Sequence, residues 1–250
     1  MTKGLVFMQA VVLAGGLGTR QRPLTETVPK ILIPIRGRPF VDYQLDLLKK
    51  SGIDDFVFCV GHLGEKVEGH LGDGSAYGCN IRYSFDGPRL LGPAGALKHA
   101  ERLLLDRFFV TYGDAFLRAP YGDIMETLGS SGKLAVMSVY RNENRFGRSD
   151  VVVEGGAVVR YDKKKSVEGM DWINYGVSAL RREALALIPE GEFCDEETFY
   201  GSLIERRELL AFEVKERFYE IGTPASLADF EAFMGRRPRG IESPDPHRRS

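Results

Sequence analysis

The stretch LAGGLGTRQRPLTETVPKILIPI occupies residues 13–35 and continues the apolar run MQAVVLA, which begins at Met8. Three glycines and Arg20 follow that run, and Pro29 and Lys30 precede a second apolar segment. Glycine lets backbone N–H groups approach phosphate oxygens closely, arginine offers a fork of donors, and lysine adds a point charge. The stretch therefore predicts an anion-binding loop at the end of a buried strand.

Two common phosphate-binding loops do not match this stretch. A dinucleotide-binding GxGxxG loop would need a third glycine where Gln21 stands, and an acidic residue after the next strand, where the sequence is RGR at 36–38. The P-loop pattern GxxxxGK[ST] is absent. A glycine-rich turn with solvated charges would explain the glycines alone, but not their combination with Arg20 and Lys30. We therefore predict a different triphosphate cradle.

Apolar runs and helical patterns alternate through the first 140 residues. The apolar runs lie at 8–14, 55–60, 81–85, 108–112 and 134–140, and the helical patterns at 39–51 and 94–105. Such alternation predicts βαβ units, and hence an α/β fold with a mostly parallel central sheet covered on both faces. Ligands bind beyond the carboxyl ends of the strands in such sheets. We therefore expect the glycine loop and the pair Gly113-Asp114 to share one rim.

The pattern changes after residue 140. The run VVVEGGAVVRYD at 151–162 predicts a hairpin around two glycines, and DWINYGVSAL at 171–180 predicts a strand. Further elements are predicted as helices at 181–188 and 195–207, as two short strands within 209–222, and as a last helix from Pro224 to Met234. We expect the tail at 235–250, which is rich in proline and arginine, to be disordered.

Composition argues against several classes of function. A net charge of −1 gives no overall field that would attract nucleic acid or an anionic membrane. No apolar run approaches the roughly 18 residues of a membrane span. The three cysteines are widely spaced and the four histidines form no HxxxH or HExxH pair, so neither a disulfide framework nor a zinc site is predicted. We expect a cytoplasmic protein with no nucleic-acid or membrane partner; its oligomeric state stays open, and a homodimer is one option.

The pattern LAGGLGTRxxPLTxxxPKxLxPIxGxPxxxxxLxxLxxxGI resembles the signature of the sugar-1-phosphate nucleotidyltransferases. Later segments resemble further family motifs in the same order: LGPAGAL at 91–97, YGD at 112–114, YDKK at 161–164, INYG at 173–176 and EIGTP at 220–224, where the family has aspartate instead of Glu220. The resemblance implies a GT-A-like, Rossmann-related three-layer fold with a small hairpin-containing sugar-binding portion. It implies one domain over 1–234, with 8–140 mainly binding nucleotide and 141–234 mainly binding sugar phosphate.

The resemblance also implies an enzyme that converts an NTP and a sugar 1-phosphate to an NDP-sugar and pyrophosphate, with Mg²⁺ as cofactor. Arg20 would bind the β,γ-phosphates, Lys30 the reacting α-phosphate, and Asp114 and Glu220 the metal. Nucleotide contacts are implied for Leu13, Ala14, Gly15, Gly16, Gly18, Thr19, Arg20, Gly92, Pro93, Ala94 and Gly95. Sugar-phosphate contacts are implied for Gly113, Lys164, Asn174 and Gly176. The nucleophile is a phosphate oxygen whose second pKa is about 6, so no general base is required.

Several assignments stay open on the residues alone. Any of the lysines at 163–165 could face the site, or the run could be a solvated hairpin end, and Asn174 could cap a turn. Base and sugar are weakly encoded. The chain most resembles guanylyltransferases that act on D-glycero-D-manno-heptose 1-phosphate or mannose 1-phosphate to make surface-polysaccharide precursors. Cytidylyl, uridylyl or thymidylyl transfer to glucose 1-phosphate or a related sugar is an alternative, and a non-catalytic regulatory subunit that binds nucleotide sugar is another.

Overall fold

The computed structural model describes residues 8–87, 89–165 and 167–236. Residues 237–250, which are most of the predicted disordered tail, lie outside the described residues. The strands are β1 (Met8–Ala14), β2 (Pro34–Ile35), β3 (Arg38–Pro39), β4 (Ile53–Val60), β5 (Asn80–Phe85), β6 (Arg107–Tyr112), β7 (Ala115–Phe116), β8 (Ala135–Arg141), β9 (Val151–Glu154), β10 (Ala157–Tyr161), β11 (Trp172–Arg181), β12 (Leu209–Glu213) and β13 (Tyr219–Glu220). The α-helices are α1 (Phe40–Lys50), α2 (Gly64–Leu71), α3 (Gly92–His99), α4 (Tyr121–Ser131), α5 (Glu196–Glu205) and α6 (Pro224–Gly235). Short 3₁₀ helices span Thr19–Gln21, Leu24–Glu26, Lys30–Leu32, Ser75–Tyr77, Glu101–Leu103 and Arg182–Leu187.

The predicted apolar runs form strands. β1, β4, β5, β6 and β8 each coincide with one of them, and the predicted hairpin is β9–β10. Its turn residues Gly155 and Gly156 have φ of 56° and 80°. Positive φ at both positions suits a two-residue hairpin, and glycine adopts it without steric cost.

The central sheet is mixed, which corrects the expectation of a mostly parallel one. Nine strands lie in the order β5-β4-β1-β6-β11-β8-β12-β10-β9. The first four are parallel to one another, and β12 is parallel to β8. β11 runs antiparallel to β6 and β8, and β10 runs antiparallel to β12 and β9. The βαβ pattern of the first part dictates parallel pairing. In the second part a hairpin joins β9 and β10, which requires antiparallel pairing of these two strands.

The helices differ in detail from the sequence patterns. The pattern at 94–105 forms α3, which already ends at His99 and is followed by a 3₁₀ turn, and the pattern at 181–188 forms a 3₁₀ helix. α2 and α4 lie where no helix is predicted. α2 buries only Val67 and Leu71 among its large side chains, so its apolar period is too short to stand out. No helix in the described ranges is long and apolar enough to span a membrane.

Alternate residues of β1 face opposite sides of the sheet. Val12 packs in a core that includes α1, α2 and α4, and Val11 packs in a second core that includes α3 and α5. A third cluster holds α6 in place: the ring of Phe230 lies 5.2 Å from that of Phe40 and 5.1 Å from that of Phe116, centroid to centroid. Because Phe116 belongs to β7, this cluster fixes α6, and β13 before it, beside the loop that follows β6.

Candidate active site

A cavity of about 350 Å³ opens at the carboxyl ends of β1, β4 and β6. Its walls come from the glycine loop, the ends of the strands and the start of α3: Leu13, Ala14, Gly15, Gly16, Gly18, Lys30, Ile31, Cys59, Asp86, Leu90, Gly92, Pro93, Ala96, Tyr112, Gly113, Asp114 and Phe193. The Gly113 N–H donates to the carbonyl of Leu13 at 2.9 Å, which ties the loop after β6 to the end of β1. The structure thus brings the glycine loop and Gly113-Asp114 to one rim.

The three loop glycines serve different purposes. Gly18 has φ of 61°, and a Cβ there would lie 2.9 Å from Cγ2 of Thr25. A Cβ on Gly15 would lie 3.3 Å from the carboxylate of Asp86. Gly16 has no described heavy atom within 4 Å of the position that a Cβ would take. The fold itself restricts positions 15 and 18, whereas position 16 leaves room for a ligand.

We expect Gly16→Ala to fold normally and to weaken nucleotide binding by about 10-fold in Kd, because the added methyl group enters space meant for the ligand. Thermal unfolding checks that the variant folds normally, and an NTP titration measures the change in Kd. Gly122→Ala on α4 is the matched control, since a Cβ there also meets no described atom within 4 Å. Equal NTP affinity in the two variants would show that Gly16 does not face the ligand.

The start of α3 is bound by the segment 192–196, which we call the strap. The N–H groups of Ala94 and Gly95 donate to the carbonyl of Cys194 at 3.1 and 3.2 Å, and the Cys194 N–H donates to the carbonyl of Leu91 at 2.8 Å. A Cβ on Gly95 would lie 2.7 Å from the carbonyl oxygen of Glu192. Of the four residues here for which nucleotide contacts are predicted, Gly92 and Pro93 line the cavity, and Ala94 and Gly95 are not among its lining residues. The N–H groups of Ala94 and Gly95 are hydrogen-bonded to the strap. The sequence patterns did not predict that these two segments are in contact.

Asp86 is a cavity residue that the sequence analysis missed. It follows β5 directly, and its N–H donates to the carbonyl of Val60 at 3.0 Å. Burial raises the pKa of its carboxyl, while the N–H of Leu91 and nearby His99 oppose that rise. The available signal was its position: an acidic residue directly after a predicted parallel strand lies on the ligand-binding rim.

Lys30 and Asp114 form an ion pair at the other end of the cavity. Nζ of Lys30 lies 2.5 Å from Oδ2 of Asp114, with 17% and 28% of the side chains exposed. Lys30 opens a 3₁₀ helix after Pro29, and Asp114 follows the end of β6. Both side chains line the cavity, so the pair presents a shielded positive and negative charge to whatever binds there.

The two predicted metal ligands are adjacent although they are distant in sequence. Glu220 in β13 pairs with Ala115 in β7, and the N–H of Ile221 donates to the carbonyl of Asp114 at 2.9 Å. The Glu220 carboxylate accepts a hydrogen bond from the N–H of Gly222. Nη2 of Arg20 lies 3.3 Å from the position of a Cβ on Gly222. Arg20 thus lies near Glu220, and neither Arg20 nor Thr19 is among the residues that line the cavity.

Asp114 and Glu220 could supply only part of the ligands that a hard cation such as Mg²⁺ requires. In the described residues no group of three or more His, Cys, Asp or Glu side chains could hold a metal ion. Asp114 and Glu220 supply two carboxylates, and Mg²⁺ commonly takes one or two carboxylates together with substrate phosphates and water. The number of carboxylates is therefore compatible with Mg²⁺, whose remaining ligands would be phosphate oxygens and water.

Lys163 is the lysine that faces the rim. Its ammonium contacts the carboxylate of Glu196, which also accepts hydrogen bonds from the hydroxyls of Tyr112 and, at 2.9 Å, Tyr161. Burial lowers the pKa of Lys163; Asp150, Glu197 and Asp114 raise it, and Arg20 lowers it further. The ammonium of Lys163 lies 5.8 Å from the ring centroid of Tyr112, which lines the cavity.

Lys164, the lysine of the predicted assignment, lies outside this group. Its Nζ is 3.3 Å from Oε2 of Glu197, and 77% of its side chain is exposed. The side chains alternate along β10 and beyond, so Tyr161 and Lys163 turn toward Glu196 while Lys164 turns outward. Asp162 fixes the backbone here, because its carboxylate accepts the N–H groups of Lys164 and Lys165 at 2.9 and 2.7 Å. Lys163 thus contacts the buried Glu196, whereas Lys164 contacts Glu197 with most of its side chain exposed.

Asn174 and Gly176 shape the strand beside this lysine. The side-chain oxygen of Asn174 accepts the N–H of Gly176 at 3.0 Å, which is the turn-capping alternative left open by the sequence. Gly176 has φ of 102°, a conformation that favours glycine. The Asn174 N–H donates to Asp150 at 2.9 Å, and burial raises the pKa of the Asp150 carboxyl to about 6. These two residues set the local backbone, and Asp150 adds a buried carboxylate near Lys163.

Comparison with known proteins agrees with this geometry. The family model described as nucleotidyl transferase matches residues 9–236. The chain belongs to the nucleotidyl transferase family. The chain is 32% identical over 204 residues to the UTP–glucose-1-phosphate uridylyltransferase of Synechocystis sp., covering 75% of this chain and 53% of that protein.

The match to a second relative covers more of the chain. The mannose-1-phosphate guanylyltransferase catalytic subunit beta of Danio rerio is 30% identical over 223 residues, covering 87% of this chain and 62% of that protein. The chain therefore spans 53% and 62% of the length of these two curated relatives. The crystal structure of HddC from Yersinia pseudotuberculosis complexed with GMP-PN matches with a TM-score of 0.76 at 21% identity, covering 91% of this chain and all of that chain. This likeness shows a shared α/β fold.

Proposed function

We propose that this protein is an enzyme that joins an NTP to a sugar 1-phosphate and releases pyrophosphate. The observation that carries the proposal is the convergence of Arg20, Lys30 and Lys163 with two carboxylates beside a cavity at the carboxyl ends of parallel strands. Both substrates are anions, so a site that joins them must supply positive charge in a fixed geometry. Residues 8–140 would mainly bind the nucleotide and 141–234 mainly the sugar phosphate, on a GT-A-like fold.

In the proposed reaction an oxygen of the sugar phosphate attacks the α-phosphorus. A new P–O bond forms, the bond to the bridging oxygen breaks, and its electron pair leaves with pyrophosphate. Lys30 would hold the α-phosphate, Arg20 the departing pyrophosphate, and Lys163 the attacking phosphate. The attacking oxygen needs no general base, because a phosphate monoester loses its second proton near a pH of about 6.

Asp114 and Glu220 would hold Mg²⁺ in this reaction. Two carboxylates together with phosphate oxygens match the ligands that this ion prefers. When bound, the ion would neutralise part of the triphosphate charge. Lys30 pairs with Asp114, so its ammonium and the ion would both lie close to the α-phosphate.

We propose GTP as the nucleotide because of Asp86. The guanine edge offers N1–H and N2–H₂ side by side, and one carboxylate can accept both; the other bases place at most one such donor there. Asp86 follows β5 and Asp114 follows β6 at the two ends of the parallel order β5-β4-β1-β6. Their backbones are thus three strand spacings apart, roughly 14 Å. The Asp86 carboxylate reaches back to within 3.3 Å of the Cβ position of Gly15, so the base that it recognises would lie beside the start of the glycine loop.

For the sugar we propose mannose 1-phosphate or D-glycero-D-manno-heptose 1-phosphate. The guanylyltransferase relative supports a manno configuration. Pyrophosphate release in Mg²⁺ from ATP, CTP, GTP, UTP and dTTP, each crossed with a panel of sugar 1-phosphates, tests the proposal. We expect the highest kcat/KM with GTP. Turnover only with a pyrimidine nucleotide would favour the uridylyl, cytidylyl or thymidylyl alternative, and no turnover by folded protein would favour the regulatory subunit.

Asp86→Asn is expected to lower kcat/KM with GTP by about 10- to 100-fold and to narrow the preference for GTP over UTP, because the amide replaces one acceptor by a donor. The measurement is the same pyrophosphate assay with both nucleotides. Asp123→Asn, an exposed carboxyl on α4, is the control for charge loss alone. An unaltered GTP/UTP ratio in Asp86→Asn would remove Asp86 from base selection.

A further inference from the structure

Phe193 is a large apolar side chain that remains exposed at the mouth of the cavity. Its exposed fraction is 67%, and Leu90, which also lines the cavity, is 45% exposed. Single exposed apolar residues are common on protein surfaces. Two of them at the opening of a ligand cavity form an apolar edge that a ligand would cover.

The backbone of Phe193 is held firmly. Phe193 belongs to the strap, whose next residue, Cys194, makes three backbone hydrogen bonds with the segment that starts α3. A Cβ on Gly92 would lie 3.0 Å from Cε2 of Phe193 and 2.5 Å from the Cys194 carbonyl oxygen. Glycine at position 92, with φ of 73°, therefore makes room for both the strap and the ring. The ring is positioned before any ligand binds, which reduces the entropy lost on binding.

Phe193 lies at the end of the cavity where Asp86 lies. Leu90 and Gly92 follow Asp86 within a few residues, and the ring packs at Gly92. The charged pair Lys30–Asp114 belongs to the far side of the parallel strands. A triphosphate would seek that charged side, so the group that is left beside Phe193 is the flat, weakly polar base.

We propose that the ring of Phe193 stacks on the nucleobase, with Leu90 at the same apolar edge. This proposal rests on the proposed nucleotidyl transfer. Asp86 would recognise the edge of the base, and Phe193 would cover its face. Stacking of a base on an aromatic side chain accepts every base, because each has a π-face. Phe193 would therefore add affinity for the nucleotide, and Asp86 would add selectivity.

The test is equilibrium binding without sugar phosphate, so that no turnover occurs. We expect Phe193→Ala to raise the Kd of GTP by about 5- to 100-fold, the range that alanine substitution of a stacking side chain produces. Phe193→Tyr keeps the ring and should bind GTP like the wild type. Inorganic tripolyphosphate, which has no base, should bind all three proteins equally. Leu105→Ala, an exposed apolar residue before β6 on the opposite rim, is the matched control.

Three outcomes would overturn the stacking proposal: unchanged GTP affinity in Phe193→Ala, loss of GTP affinity in Phe193→Tyr as well, or equal weakening for tripolyphosphate. Each of them leaves the proposed function intact if the wild type binds GTP and turns it over. Wild-type protein that binds no NTP would instead remove the proposed function. Phe193→Trp gives a second readout, because a stacked guanine should quench its fluorescence while wild-type Trp172 reports the background.

Discussion

Lys30→Ala is expected to lower kcat/KM by about 10²- to 10³-fold, the loss typical of one charged contact that strengthens in the transition state. Negative charge shifts onto the α-phosphate and the leaving pyrophosphate as the bond breaks, and Lys30 lies in the cavity where that charge develops. The variant also leaves Asp114 without its cation, which adds repulsion against phosphate. Initial rates of pyrophosphate release at varied NTP measure the effect.

The fold should survive this change. Lys30 lies in a 3₁₀ turn, and its ion pair is partly exposed, so the pair contributes little to stability. Lys133→Ala is the matched control. It breaks an ion pair in which Nζ of Lys133, just before the start of β8, lies 3.6 Å from Oε1 of Glu208. Arg20→Ala, beside Glu220, is expected to lose activity to a similar degree. Wild-type kinetics in Lys30→Ala would refute its role as a phosphate ligand.

Lys163→Ala is expected to raise KM for the sugar 1-phosphate and to lower kcat/KM by about 10- to 100-fold, the range of one hydrogen bond to a charged group. The physical reason is the position of its ammonium, which Glu196 holds beside Tyr112 at the cavity wall. The KM for the NTP should change much less. A two-substrate kinetic matrix separates the two constants.

The chain supplies the control for this prediction in the next residue. Lys164→Ala removes the same charge from an exposed side chain that contacts Glu197 only at the surface, so its kinetics should stay within about 2-fold of the wild type. If Lys164→Ala is impaired and Lys163→Ala is not, the original assignment of Lys164 to the sugar phosphate is restored. Equal and small effects in both would remove the lysine run from the site.

Local sequence patterns predicted those features that depend on neighbouring residues. The apolar run before residue 15 predicts β1, and the glycines, Arg20 and Lys30 after it predict an anion-binding loop. The Gly155-Gly156 turn predicts a hairpin, which the structure confirms. Hydrophobic period and turn chemistry act over a few residues, so a single sequence carries them in full. The same patterns predicted parallel pairing correctly for β5-β4-β1-β6.

Local patterns did not predict which candidate residues contact one another, because these contacts form between distant segments of the folded chain. The antiparallel insertion of β11 between β6 and β8 makes the sheet mixed, and no local period encodes that order. Pairing of β13 with β7 brings Glu220 to Asp114, and the strap takes the amides of Ala94 and Gly95. Glu196 selects Lys163 from three adjacent lysines. Each result depends on contact between segments far apart in the chain, and such contacts follow from packing of the whole sheet and its helices.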